Sequence, residues 1–318
     1  MENHRIAVLG IGATGAVLAA ALLSKDPETI LVDPAPGMEE TLLKDGVNIS
    51  GAISYSSAPI KFFYEKIPDI KKHDPDIIFI STKTFVLPRI LDELKSVFKP
   101  GTKIVSTHNG LGTEDFIAER FGLDSVFRMS LNFGAASKGP GEIEAAFFNR
   151  PNHLGCLIPE NRALGEEIAC LLTNSGLDTE FVEDIKLFVW KKMVIKCTMA
   201  SICAVTDKTI KDALDFPPIR EIADACFQEA LAVAKAKGYD LGNEYIKEVF
   251  AYLEKVGVHK DSMCYDLANR NPTEIDFLGG KVVEYAREMG IPVPFYTAMT
   301  NLVKACLLYT SPSPRDRS

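Results

Sequence analysis

The sequence predicts an α/β domain built on a parallel sheet, followed by an all-α domain, and three observations support this prediction. Short apolar runs of strand type alternate with helical patterns from residue 5 to about residue 129, which is typical of a parallel sheet covered on both faces. From about residue 184 onward, nearly every block has helical periodicity. The length of 318 residues suits two domains better than one.

The elements of the first domain follow one another in a regular order. Strands are predicted at residues 5–9, 29–32, 76–80, 103–106 and 126–129, with helices at 16–23, 86–97 and 114–121. Residues 46–64 are more typical of an irregular hairpin region than of a helix. The stretch 138–160 is rich in Gly and Pro and predicts antiparallel strands that end this domain. We therefore place the first domain at residues 1–182.

The second domain is predicted to contain helices only. The helical blocks cover residues 184–204, 218–237, 242–257, 273–289 and 296–306. We place this domain at residues 183–306. From about Leu307, Ser-Pro repeats and charges replace the apolar period, so residues 307–318 are predicted to be a tail that is either non-native or disordered.

Composition excludes several classes of protein. Apolar residues make up 47% of the chain and charged residues 25%, and no apolar run reaches the roughly 18 residues that span a bilayer. We therefore expect a cytoplasmic protein with no membrane partner. The net charge is −8 and no basic stripe is present, which argues against nucleic acid as a partner. The seven cysteines and five histidines lack metal-ligand spacing, so no metal site is expected.

A glycine motif directly follows the first predicted strand. Gly10, Gly12 and Gly15 form G-x-G-x-x-G, with Ala13 and Thr14 inside it, and a helix begins immediately afterwards. The first glycine permits a tight turn, the second lets the backbone approach a pyrophosphate, and the third lets the helix pack closely on the strand. This context predicts a Rossmann-type dinucleotide-binding domain. The alternative is a glycine-rich turn without a ligand.

The second strand ends in an acid, Asp33, which lies 21 residues after Gly12. A carboxylate at this position can accept hydrogen bonds from the adenosine ribose hydroxyls, and it would repel a 2′-phosphate. The next residues, 34–37, include no Arg or Lys. We therefore predict NAD(H) in preference to NADP(H). The alternative is that Asp33 only caps a turn before Pro34.

Two polar residues follow later strands. Lys83 follows the strand at 76–80, and Asn109 follows the strand at 103–106. Ligands of open α/β sheets lie beyond the carboxyl ends of the strands. These two side chains are therefore candidates to hold a carbonyl substrate or its carboxylate near a nicotinamide, although each alone is equally typical of a loop residue without a role.

Together with two motifs of the helical domain, these features resemble the ketopantoate (2-dehydropantoate) 2-reductase family. Five motifs occur in order between Arg5 and about Ala305: G-x-G-A-x-G, S-T-K, H-N-G-x-G, W-x-K and S-M-x-x-D-x-x-x-x-x-x-T-E-I-D. The resemblance implies a Rossmann domain and an all-α domain that enclose a cleft. It also implies reduction of ketopantoate to pantoate, a step of pantothenate biosynthesis, with a nicotinamide cofactor that is usually NADPH.

The resemblance assigns roles to individual residues. Lys192 matches the catalytic lysine and Glu274 its partner acid, Asn109 and Lys83 match residues near nicotinamide and substrate, and Ser262 matches a substrate-binding serine. The chemistry agrees, because hydride attack on a ketone builds negative charge on oxygen, which a lysine can stabilise and protonate. The simpler alternatives are a solvated helix position for Lys192 and ordinary first-turn helix chemistry for Glu274.

The chain departs from the family pattern at Asp33, where a basic residue is common, and in the helix after W-x-K. Lys196 and Ala200 stand where the family pattern has asparagines. Lys196 would suit an additional substrate carboxylate and Ala200 would widen the pocket, unless Lys196 extends out of the cleft. Three hypotheses therefore remain: a ketopantoate reductase, an NAD-linked reductase of a different 2-oxo acid, and a non-catalytic dinucleotide-binding sensor. The sequence leaves the oligomeric state open, with a homodimer as the alternative to a monomer.

Overall fold

The computed structural model describes residues 4–56, 60–242 and 244–310, and the chain forms two compact units. Of the described residues, the first unit comprises those up to His108 together with Thr113–Ile185, and the second comprises Asn109–Gly112 together with those from Lys186 onward. The predicted combination of a Rossmann-type α/β unit and a helical unit is confirmed. The boundary lies three residues beyond the one predicted at 182. The segment Asn109–Gly112 belongs to the second unit, where the Leu111 N–H donates to the Phe277 carbonyl oxygen at 2.9 Å.

The first unit, as far as the structure describes it, contains two sheets. The strands are β1 (Ile6–Leu9), β2 (Ile30–Val32), β3 (Asn48–Gly51), β4 (Tyr55–Ser56), β5 (Phe62–Tyr64), β6 (Ile77–Ile80), β7 (Lys103–Ser106), β8 (Val126–Ser130), β9 (Phe133–Gly139), β10 (Glu142–Phe148), β11 (Asn152–Cys156) and β12 (Thr179–Phe181). The larger sheet has the order β12-β11-β8-β7-β6-β1-β2-β5 and the smaller one β4-β3-β10-β9. The central pairs of the larger sheet are parallel.

The larger sheet is buried on both faces. In β1, Ile6 and Val8 belong to one apolar cluster, whereas Ala7 and Leu9 belong to the other. Successive side chains of a strand point to opposite faces, so a strand covered on both sides needs an unbroken apolar run. The I-A-V-L sequence of β1 supplies this run. The helices of this unit are α1 (Ala13–Leu23), α2 (Met38–Asp45), α3 (Leu87–Leu94), α4 (Thr113–Phe121) and α5 (Arg162–Asn174).

The chain order of the strands reverses at β1. From β1 the chain continues to β2 and then β5 on one side, and it returns to β6, β7 and β8 on the other. Such a switch point opens a crevice at the carboxyl ends of the strands, where ligands of this fold class bind. The glycine turn at the end of β1 and the segments after β6 and β7 all lie at this edge.

The structure corrects several element predictions in the first unit. Part of region 46–64 is a hairpin of β3 and β4, but β5 leaves it and pairs in parallel with β2. Residues 57–59 of this region lie outside the described residues. The stretch 138–160 contributes β10, which is antiparallel to β9 as expected and also parallel to β3. Helices α2 and α5, strands β5 and β12 and most of β9 were not predicted from the sequence. A strand of three residues, such as β5, is too short to show a period and takes its register from its neighbour.

The described residues of the second unit form helices joined by turns and loops, with no strand among them. Its helices are α6 (Ile185–Thr206), α7 (Ile210–Leu214), α8 (Pro217–Ala236), α9 (Tyr245–Val256), α10 (Ser262–Ala268), α11 (Gly279–Glu288) and α12 (Pro294–Thr310). The predicted helix at 273–289 is wrong in its first turns, because α11 begins only at Gly279 and residues 274–278 form a turn. Helix α12 continues past Leu307 to Thr310, and residues 311–318 lie outside the described residues.

The described residues contain neither a membrane-spanning helix nor a cluster of metal ligands. No helix there has both the length and the apolar character needed to cross a membrane, and the expected cytoplasmic location stays a prediction. No group of three or more His, Cys, Asp or Glu side chains in the described ranges is arranged to hold a metal ion.

Candidate active site

The glycine turn after β1 adopts a conformation that requires glycine at two of its positions. Gly10 has a φ of 86°, a left-handed conformation that favours glycine. A Cβ on Gly15 would lie 1.8 Å from the Gly10 carbonyl oxygen, so only glycine allows α1 to pack here. A Cβ on Gly12 would meet nothing within 4 Å. Gly12 is the N-cap of α1, and Ala13 and Thr14 form its first turn. The backbone at the start of α1 is therefore uncrowded at Gly12, and a helix N-terminus of this kind fits an anionic pyrophosphate.

The Asp33 carboxylate is bound to the glycine turn. Its Oδ2 accepts a hydrogen bond from the Ile11 N–H at 2.6 Å, and its Oδ1 accepts one from the Ala35 N–H at 2.9 Å. The side chain is 9% exposed. The contact with Ala35 is the turn cap considered as the simpler alternative, and the contact with Ile11 joins the same carboxylate to the glycine turn. An ionised carboxylate has about four acceptor positions, so these two bonds do not exhaust its capacity.

Polar side chains connect the ends of β6 and β7. The hydroxyls of Ser81 and Thr107 are 2.7 Å apart, and the Thr82 hydroxyl is 3.3 Å from Nε2 of His108. Lys83 follows directly, is partly buried, and is the N-cap of a short 3₁₀ helix. The structure thus places Lys83 in the first unit, at the predicted edge of the sheet.

A buried ion pair supports the segment that leads to Asn109. Nε of Arg128, in β8, lies 3.2 Å from Oε2 of Glu114, and both side chains are at most 4% exposed. Nη2 of Arg128 donates to the His108 carbonyl oxygen at 2.6 Å, and Nη1 donates to the Ser106 carbonyl oxygen at 3.1 Å. Burial and the nearby Arg128 cation lower the pKa of His108 to about 3, so its imidazole is neutral near pH 7.

This ion pair was not predicted from the sequence, although the sequence contains a signal for it. An arginine stands inside the apolar strand F-R-M-S, and a glutamate stands in the first turn of the preceding helix. A charged residue in a buried strand is rarely left without a partner of opposite charge. The pairing of Arg128 with Glu114 specifically follows only from the contact of β8 with α4.

Lys192 and Asn109 contact each other in the second unit. The ammonium Nζ of Lys192 donates to Oδ1 of Asn109 at 2.7 Å. Lys192 lies on α6 and is partly buried, whereas Asn109 belongs to the short segment that joins this unit. The two residues are 83 positions apart in the chain, so the fold brings together two residues that the motifs proposed separately.

Lys196 lies one helical turn after Lys192, and its ammonium contacts the start of α10. Its Nζ is 2.6 Å from Oδ2 of Asp261 and 3.1 Å from Oγ of Ser262. Burial by itself lowers the pKa of Lys196, but the attraction and hydrogen bond of Asp261, with a smaller contribution from Glu274, raise it above the ordinary value. Lys196 is therefore cationic at physiological pH.

Three further residues of the second unit, Glu274, Asp261 and Ala200, are buried. Glu274 lies in the turn before α11, is 8% exposed, and is close enough to Lys196 to affect its pKa. Asp261, which sequence reasoning missed, is the N-cap of α10 and accepts from the Met263 N–H at 2.9 Å. Ala200, expected to widen the pocket, is fully buried.

Comparison with known protein families gives matches over most of the chain. The model described as "Ketopantoate reductase PanE/ApbA" matches residues 6–158, and the model described as "Ketopantoate reductase PanE/ApbA C terminal" matches residues 184–307. A curated relative, the 2-dehydropantoate 2-reductase of Streptococcus pyogenes serotype M3, is 27% identical over 300 residues, covering 94% of this chain and 96% of its own length.

Solved structures show the same fold. A D-mandelate dehydrogenase solved with NADH and anilino(oxo)acetate has a TM-score of 0.87 at 23% identity, covering 96% of this chain and 99% of its own. A 2-dehydropantoate 2-reductase from Geobacter metallireducens GS-15 also has a TM-score of 0.87 at 23% identity, covering 95% and 99% of the two chains. At these identities the two structures show the fold alone.

Proposed function

The chain belongs to the ketopantoate reductase family, and from this premise we propose that it reduces ketopantoate to pantoate with a nicotinamide cofactor. The single observation that supports this proposal most is the 2.7 Å hydrogen bond from Lys192 to Asn109. In this bond, an amide oxygen from one motif holds the orientation of a lysine ammonium from another motif. A protein that only senses a dinucleotide has no need for this arrangement.

The proposed reaction assigns a task to each residue. The nicotinamide, when bound, supplies the hydride. Lys192 stabilises the negative charge that develops on the ketone oxygen and donates the proton that completes the alcohol. Asn109 fixes the direction of the Lys192 ammonium through its Oδ1, and Glu274 is the proposed acid that keeps the lysine protonated. Ser262 and Lys83 are the proposed ligands of the substrate carboxylate.

The residues of the first unit fit the cofactor. Open space over Gly12 and the N–H groups at the start of α1 would hold the pyrophosphate. Asn109 and Lys83 are further proposed to lie near the nicotinamide. Asp33 has acceptor capacity for the ribose hydroxyls, and its negative charge opposes a 2′-phosphate. We therefore propose NADH as the preferred nucleotide.

Replacement of the Asp33 charge is expected to change the choice of nucleotide. In the Asp33→Asn variant, kcat/KM with NADPH should rise by about 10-fold or more, because the repulsion between the carboxylate and the 2′-phosphate is removed. Steady-state kinetics with NADH and NADPH measure this change. Asp45→Asn, at an exposed position of the same unit, is the matched control. A wild-type protein that uses NADPH better than NADH would contradict the proposed role of Asp33.

The proposed activity is tested with a panel of substrates. Purified protein is mixed with NADH or NADPH and with ketopantoate, other branched 2-oxo acids or dicarboxylic 2-oxo acids, and the loss of nicotinamide absorbance is followed. We expect ketopantoate to be reduced with the highest kcat/KM. Faster turnover of another acid would support the alternative reductase, and tight NADH binding without any turnover would support the sensor.

A homodimer remains a proposal for the oligomeric state. Phe295 and Leu302 are 44% and 48% exposed, and both lie on α12. Because they are seven residues apart, they share one face of the helix. An apolar face of this kind on a C-terminal helix is the feature that would accompany self-association.

A further inference from the structure

Lys196 already has a carboxylate partner within its own unit. Its Nζ is 2.6 Å from Oδ2 of Asp261, and the two side chains are 18% and 8% exposed. Sequence comparison suggested that a lysine at this position would bind a second carboxylate of the substrate. Since a protein carboxylate is bound instead, an additional substrate carboxylate would have to compete with an ion pair that is largely removed from water.

The same ammonium also determines the role of the Ser262 hydroxyl. Lys196 Nζ donates to Ser262 Oγ at 3.1 Å. An ammonium has three donors and no acceptor, so the serine oxygen must be the acceptor in this contact. Its O–H is then directed elsewhere, and among the described residues no acceptor for it is found. Ser262 is exposed, so this O–H is available to a ligand.

Asp261 holds this arrangement in place from the other side. Its Oδ1 accepts the Met263 N–H at 2.9 Å, while its Oδ2 accepts Lys196. The carboxylate therefore joins helix α6 to the first turn of α10, in which Ser262 lies. Lys196 contacts two consecutive residues of this turn, and the position of the serine hydroxyl depends on both contacts.

We propose that Lys196 is a positioning residue that fixes Ser262 as a hydrogen-bond donor to a single substrate carboxylate, and that Lys196 does not itself bind substrate. This inference rests on the proposed function, because it takes Ser262 as the residue that contacts the substrate carboxylate. If Lys196 does not bind substrate, the substrate is a 2-oxo acid with a single carboxylate. A hydroxyl that already accepts from a cation is a stronger donor, which favours an anionic acceptor.

The test is a double-mutant cycle on ligand binding. The ligand is oxamate, a non-reacting analogue of a 2-oxo acid, and its Kd is measured by calorimetry at saturating NADH. Lys196→Met and Ser262→Ala should each weaken oxamate binding by about 10-fold or more, the range for one hydrogen bond to a charged group. The double variant should bind about as weakly as Ser262→Ala alone, because Lys196 acts through the serine. If instead the double variant weakens oxamate binding by the product of the two single fold-changes in Kd, Lys196 contacts the ligand itself, and the inference is overturned.

Two further variants separate this role from a purely structural one. Lys196→Met leaves the Asp261 carboxylate without its cation, so Lys196→Met with Asp261→Asn removes both charges and keeps an acceptor for the helix cap. It should fold and still bind oxamate weakly. Ser262→Thr, which retains the hydroxyl, should keep Kd within a few-fold of the wild type. Lys191→Met, at the exposed neighbouring lysine of α6, is the matched control and should leave Kd unchanged.

Turnover distinguishes failure of this inference from failure of the proposed function. If the wild type binds oxamate and the cycle shows coupling, the inference holds even if no 2-oxo acid is reduced, and only the proposed activity fails. If oxamate does not bind to the wild type, the inference is overturned. Where turnover occurs, Lys196→Met should raise KM for mono- and dicarboxylic 2-oxo acids by the same factor. A selective loss of dicarboxylic substrates would instead identify Lys196 as a substrate ligand.

Discussion

The Lys192→Ala variant is expected to lose about 100- to 10,000-fold in kcat, the range for removal of a positioned general acid. In the proposed mechanism this loss has two sources, since the Lys192 ammonium both stabilises charge on the ketone oxygen and supplies the proton. The Kd for NADH should stay within a few-fold of the wild type, because the residues proposed for the nucleotide phosphates belong to the glycine turn. Stopped-flow kinetics and fluorescence titration with NADH measure the two quantities.

Two comparison variants make this result specific. Lys191→Ala changes the adjacent exposed lysine of α6 and should leave kcat unchanged within about 2-fold, as is usual for surface positions. Lys192→Arg keeps a positive charge but cannot give up its proton, so it should recover part of the charge stabilisation and little of the proton transfer. If Lys192→Ala retained most of its kcat, the assignment of Lys192 as the proton donor would be wrong.

The Glu114→Ala variant is expected to lower the free energy of unfolding by about 3–5 kcal/mol, because it leaves the guanidinium of Arg128 buried without its counter-charge. Arg128 is 1% exposed, so water cannot easily replace the lost carboxylate. Urea denaturation followed by circular dichroism measures the change. Since Arg128 also donates to the carbonyls of Ser106 and His108, activity at temperatures where the variant remains folded should fall as well.

The control for this prediction is Glu119→Ala, which removes an exposed glutamate from the same helix α4. Its free energy of unfolding should change by no more than about 0.5 kcal/mol. A double variant, Glu114→Leu with Arg128→Met, removes both charges and should recover only part of the loss, because the two carbonyls then lack their donor. Equal stabilities of the Glu114 and Glu119 variants would show that the buried pair does not stabilise this edge of the sheet.

Much of the first unit could be predicted because its signals are local. The I-A-V-L run of β1 and the glycines at 10, 12 and 15 are neighbours in the chain, so the turn they form depends on few distant contacts. Strands β1, β2, β6, β7 and β8 and helices α1, α3 and α4 were placed within a few residues for the same reason. Some of the elements that were not predicted, such as β5, are too short to show a period. Helix α5 is long enough to show one, but no element was predicted for its residues.

The candidate site was predicted in its parts, and their arrangement was not. Lys192, Asn109, Lys196 and Ser262 were each proposed from motifs. Their contacts with one another, and the participation of Asp261, were absent from that prediction. The start of α11 was also misplaced, because a hydrophobic period continues through the turn at residues 274–278 and does not show where hydrogen bonding becomes helical.

The sequence alone determined the two-unit architecture, the glycine turn at Gly10, Gly12 and Gly15, and the family to which the chain belongs. Only the tertiary structure decided that Lys192 donates to Asn109, 83 residues away, and that Lys196 pairs with Asp261, 65 residues away. The physical reason is the range of the interactions. A turn and the first turn of a helix depend on consecutive residues, whereas the partner of a buried charge depends on which elements pack together, and no pattern within one segment specifies that.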